Sequence, residues 1–85
     1  MHNKYDGTIV EFAGAVSHLD DGSYVSVQVG KLELAARRER EYIAIRISGL
    51  TERSANTTVA RHGDDSRTAA LVALVVSQIL QDIPF

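Results

Sequence analysis

The chain has no cysteine, no tryptophan and one proline in 85 residues, and aromatic residues make up 6%. The missing thiols exclude a disulfide scaffold, a thiolate nucleophile and any Cys-ligated zinc or iron–sulfur centre. Long apolar runs are missing too: the most hydrophobic stretch, Ala69 to Val76, is far shorter than the ~20 residues a bilayer-spanning helix needs. The opening Met1-His2-Asn3-Lys4-Tyr5-Asp6 lacks the apolar core of a signal peptide, so a cytoplasmic protein without membrane contact is expected. Neither sign of charge dominates. Nine Lys+Arg against eleven Asp+Glu leave −2, which argues against a general polyanion binder.

Catalytic and cofactor motifs are equally scarce. No GxGxxG, no GxxxxGK[ST] and no EF-hand loop occurs. His62 stands near Asp64 and Asp65, and His18 near Asp20 and Asp21, but neither forms an HxH or HxxxH pair. The carboxylates read as turn and helix-cap residues. Ser17-His18 with Asp20 has the residue types of a nucleophilic triad but lacks a nucleophile elbow, and adjacent strand residues point apart. Expected are no catalytic residues, no cofactor and no metal, in a protein that is not an enzyme.

What is present is 45% hydrophobic and 24% charged, the balance of a globular domain. A chain of this size makes one domain that buries roughly 60–65% of its unfolded surface. Thr8 to Leu19 alternates in the strand manner, with Val10, Phe12 and Val16 on one face. Asp21-Gly22 then supplies a two-residue hairpin turn, and Tyr24-Val25-Ser26-Val27-Gln28-Val29 opens a second strand. The alternation slips between Val25/Val27/Val29 and Leu32/Leu34, so a glycine bulge at Gly30 (or Gly14) is needed to keep one face apolar. Residues 33–40 fit either the continued hairpin or a short helix with Glu33→Arg37 and Arg37→Glu41 pairs. Ile43, Ile45 and Ile47 point inward from a clean third strand, and residues 57–62 suggest a fourth at an edge. Asp64, Asp65 or Ser66 caps a long helix that Pro84 ends.

These readings give strands over 8–19, 23–34, 41–48 and 57–62, and a helix over 66–82. The expected class is α+β: an antiparallel β-meander of three to four strands with one C-terminal helix packed on one face. Gly63-Asp64-Asp65-Ser66-Arg67-Thr68-Ala69-Ala70-Leu71 resembles the final turn and helix of a double-stranded-RNA-binding domain. Arg67 is the lone basic residue at that helix start, Asp64 and Asp65 would repel phosphate, and no helix is expected before the first strand. The family is therefore not assigned.

Three surfaces are left to work. Around the helix, Val72, Val75, Val76, Ile79, Leu80 and Ile83 form the core arc. Leu71 and Leu74 fall outside it beside Gln78, where a homodimer could pack helix on helix. The outer sheet face is small and polar: Ala13, Ala15, Ser17, Ser26, Gln28, Ala44 and Ser48, framed by Tyr24, Tyr42, Glu11, Glu33 and Arg46. Residues 31–46 hold Lys31, Arg37, Arg38, Arg40 and Arg46 against Glu33, Glu39 and Glu41, a local +2. The expected function is a small non-enzymatic protein-binding module that occludes or adapts a larger macromolecule. Short, motif-free domains of this kind are common among phage and mobile-element accessory or inhibitor proteins. Arg37, Arg38, Arg40, Tyr24, Tyr42 and Arg46 are its expected partner-binding residues, and Leu71, Leu74 and Gln78 its dimer interface. A nucleic-acid-associated regulator using Arg37 to Arg40, and a structural subunit of a larger assembly, are the alternatives.

Overall fold

A two-residue turn at Gly30-Lys31 sets the topology. In the computed structural model, which describes residues 5–49, 52–61 and 63–82, Gly30 has φ +59° at the first central position of a tight hairpin, where a type II′ turn favours glycine. The expected single strand over 23–34 is thus two strands, β1 (Tyr24–Val29) and β2 (Leu32–Arg38). Val29 pairs with Leu32, Val27 with Leu34 and Val25 with Ala36. Every partnership joins an odd position to an even one, so the odd valines and the even leucines share one face without a bulge. The short helix weighed over 33–40 does not form.

Strand β3 (Tyr42–Ser48) follows in the expected phase, with Ile43, Ile45 and Ile47 buried. Strand β4 (Ala55–Ala60) is the expected edge strand, displaced two residues toward the N-terminus. All neighbours are antiparallel in the order β1-β2-β3-β4.

The segment over 8–19 is the principal correction. It is a helix, α1 (Asp6–Ser17), and not a strand. Tyr5, Ile9, Phe12, Ala13 and Val16 are buried at helical spacing along one side. Asp21-Gly22 closes no hairpin. Gly22, with φ +82°, lies in the loop from α1 to β1 and donates its N–H to the Arg38 carbonyl at 2.6 Å. The second helix, α2 (Asp65–Asp82), occupies its expected span. Its cap is Asp64, whose Oδ1 accepts the Ser66 N–H at 2.9 Å. Ile83, Pro84 and His62, which the sequence reading also used, lie outside the described residues.

Two helices, not one, therefore pack with the four-stranded sheet. Phe12, Val16, Leu32, Leu34, Ile43, Ile47, Val72, Val76 and Leu80 join α1, α2 and the inner sheet face in one core. Helix α1 lies over β1 and β2 and packs on α2, which contacts β4. The fold is α+β with an α-β-β-β-β-α order, and a helix does precede the first strand, contrary to the sequence expectation.

The glycines test this assignment. An added Cβ meets nothing within 4 Å at Gly7 or Gly14, so each Gly→Ala change in α1 should stabilise the fold by about 0.5–1 kcal/mol through helix propensity. Gly49 is different: φ is +96° and a Cβ would overlap the Lys31 carbonyl. Gly49→Ala should lower the urea midpoint markedly while Gly7→Ala and Gly14→Ala raise it. A lowered midpoint for both α1 variants would contradict the helix.

Candidate functional site

The inner-face run Leu32, Leu34, Ala36 ends in Arg38, so strand alternation turns this arginine inward rather than toward a partner. It is 8% exposed. Its Nη1 donates to the Ser17 carbonyl at the end of α1 at 2.7 Å, and its Nη2 to Asp65 Oδ1 at the start of α2 at 3.4 Å. Asp21 Oδ1 stands 3.9 Å from Nε, which makes no hydrogen bond among the described residues. The cation thus sits between the negative end of one helix dipole and a carboxylate at the positive end of the other.

Arg61, which the sequence reading did not single out, completes this end of the molecule. Its Nη1 lies 2.6 Å from Asp21 Oδ1 and also reaches the carbonyls of Glu39 and Arg40, at 2.7 and 2.9 Å. Tertiary proximity of three loops creates this cluster, and no local pattern announces it. Arg37 pairs with Glu39 at 3.1 Å. Arg40 is exposed at the β2–β3 turn. The expected knob of Arg37, Arg38 and Arg40 is therefore divided among an outer-face residue, a buried structural residue and a turn residue.

Neither of the described helices packs on the opposite sheet face. Tyr24, Arg37, Ala44 and Thr58 lie in one row across β1 to β4, and Ser26, Ala35, Arg46 and Asn56 in the next. Ala35 and Ala44 are low enough to leave a shallow open trough of about 690 Å³, walled by Tyr24, Arg37, Arg46, Asn56 and Thr58. Tyr24 is 66% exposed and Tyr42, on the same face beyond the trough, 44%. Among the described residues no carboxylate lines the trough; Glu33 lies beside it, 3.7 Å from Arg46. Of the surface expected from the sequence, Ser26, Gln28, Ala44, Ser48, Tyr24, Tyr42, Glu33 and Arg46 do lie on this face. Glu11, Ala13, Ala15 and Ser17 belong to α1 instead.

On α2, Leu71 is partly buried against the core, whereas Leu74 is 53% exposed and Gln78 exposed. Among the described residues no group of three or more His, Asp or Glu side chains could hold a metal ion. No described helix is long and apolar enough to cross a membrane. No protein-family model, curated protein or solved structure matches the chain.

Removing Arg38 leaves the Ser17 carbonyl and Asp65 without their shared donor. Arg38→Ala should destabilise the fold by about 2–4 kcal/mol, the range for losing buried charge-assisted hydrogen bonds and the packing of a long stem. Arg40→Ala should change stability by less than about 0.5 kcal/mol. Urea melts of the two variants beside wild type measure the contrast, and equal midpoints for both would remove Arg38 from this role.

Proposed function

We propose that the protein is a non-enzymatic binding module that occludes or adapts a partner protein, using the outer sheet face as its contact surface. One observation carries this reading: both helices pack on one side, so that no described element covers the other face, which has a small-residue floor and tyrosine and arginine at its walls. Tyrosine and arginine are the side chains that concentrate contact energy at interfaces, because each offers a broad apolar body and directional donors. Tyr24, Arg37 and Arg46 are the anchors, and Tyr42 extends the surface. Arg40, exposed at the β2–β3 turn, completes the proposed set. Arg38 is withdrawn from the partner-binding set because its guanidinium is committed inside the fold.

The arrangement offers less to a nucleic-acid backbone. Arg37 and Arg46 each have a carboxylate within ion-pair distance, and the buried Arg38 presents no donor to a phosphate outside. The regulator alternative therefore loses the contiguous arginine run on which it rested. A phage or mobile-element accessory role stays the reading of origin that a small binding domain of this composition suggests.

The test is affinity capture from native lysate with and without nuclease, using wild type and the double variant Arg37→Glu/Arg46→Glu. Both arginines are more than half exposed, at 66% and 57%, so their ion pairs contribute little to stability and the variant should melt close to wild type. A protein retained after nuclease treatment and lost with the double variant is the expected result. Capture that disappears with nuclease, or persists undiminished in the double variant, contradicts the reading.

A further inference from the structure

We propose that β1 is a self-association edge: two copies of the chain pair β1 with β1 antiparallel about a two-fold axis, forming a continuous eight-stranded sheet. The inference is independent of the outer-face reading and rests on the side of β1 that no described strand pairs. The Arg38 N–H donates to the Ser23 carbonyl at 3.0 Å. By alternation Ser23, Val25, Val27 and Val29 turn their backbone groups toward β2, while Tyr24, Ser26 and Gln28 turn theirs outward. Edge strands usually carry a charge, a proline or a bulge that blocks further pairing. The segment Tyr-Val-Ser-Val-Gln-Val has no charge and no proline, and its register with β2 is unbroken.

The second copy follows from self-complementarity. Centred on Ser26, a two-fold pairing sets Tyr24 opposite Gln28 of the other copy and Val25 opposite its Val27. Like charges meet nowhere along the seam, and the end carrying Lys31 approaches the end carrying Asp20 and Asp21 of the other copy. Apolar area favours this edge over β4. Val25 and Val27 are half-buried and Val29 is 41% exposed, whereas Val59 on β4 is already buried at 6%. Pairing at β1 covers valines that the monomer leaves partly wet, and β4 offers no equivalent gain.

Light scattering and sedimentation across the micromolar to low-millimolar range test the proposal on the full chain. Wild type is expected at twice the 9.3 kDa chain mass. Ser26→Pro removes one outward N–H without touching a bond to β2, as prolines on edge strands do, and should halve the mass while far-UV circular dichroism stays native. Should that variant not fold, Ser26→Lys sets two ammonium groups against each other at the axis and reads the same loss. Thr58→Pro on β4 and Leu74→Glu on α2 should remain dimeric. In wild type, the Tyr24, Ser26 and Gln28 amides should gain hydrogen-exchange protection as concentration rises. A wild type that stays monomeric over the whole range overturns the proposal. So does a dimer that survives at Ser26 but is lost with Thr58→Pro or Leu74→Glu.

Discussion

The arginine at the end of β2 is the constraint on which the arrangement depends. The end of α1 and the beginning of α2 meet at one side chain, through the Ser17 carbonyl and the Asp65 carboxylate. An α-helix leaves carbonyls unpaired at its C-terminus and amides unpaired at its N-terminus. Arg38 donates to the Ser17 carbonyl at the first and to the Asp65 carboxylate, in the first turn of α2, at the second. A charge buried to 8% exposure is costly unless compensated, and this one is compensated only when α1, α2 and the loop bearing Asp21 all stand in place. The interaction therefore favours the single arrangement in which all three meet.

That arrangement also divides the sheet into two unlike faces. The inner face spends its isoleucines and leucines on the helices. The outer face keeps Ala35 and Ala44 low and turns Tyr24, Arg37 and Arg46 to solvent. In so small a domain there is too little chain to cover both sides, since the surface-to-volume ratio rises as the domain shrinks. What such a fold leaves open is therefore whatever the helices do not cover: among the described residues, the outer face and the two edge strands β1 and β4.

Much of the fold is legible in local patterns. Strand β3 could be placed because Ile43, Ile45 and Ile47 repeat at the strand period with polar residues between them. Helix α2 could be placed because Val72, Val76 and Leu80 repeat at helical spacing after an Asp-Asp-Ser cap. Residues 5–17 supported two periods at once: Val10, Phe12 and Val16 alternate as in a strand, while Tyr5, Ile9, Phe12, Ala13 and Val16 follow a helix. Gly7, Gly14 and several β-branched residues lower helix propensity and weight the local reading toward the strand. On the candidate surface, alternation along β1 and β3 correctly sends Tyr24, Tyr42 and Arg46 outward. Alternation along β2 likewise sends Arg38 inward, a consequence visible once the turn at Gly30-Lys31 starts a new strand at Leu32.

By itself the sequence determined the cysteine-free chemistry, the near balance of charge, the α+β class, the span of α2 and the facing of β3. Each of these follows from composition or from a repeat within a few residues. Only the tertiary structure decided that residues 6–17 are helical, because packing against α2 and the sheet outweighs a propensity difference of about a kcal/mol per glycine. It alone decided the role of Arg38, because Ser17, Asp21 and Asp65 all lie far from Arg38 along the chain and no local pattern encodes their meeting with it.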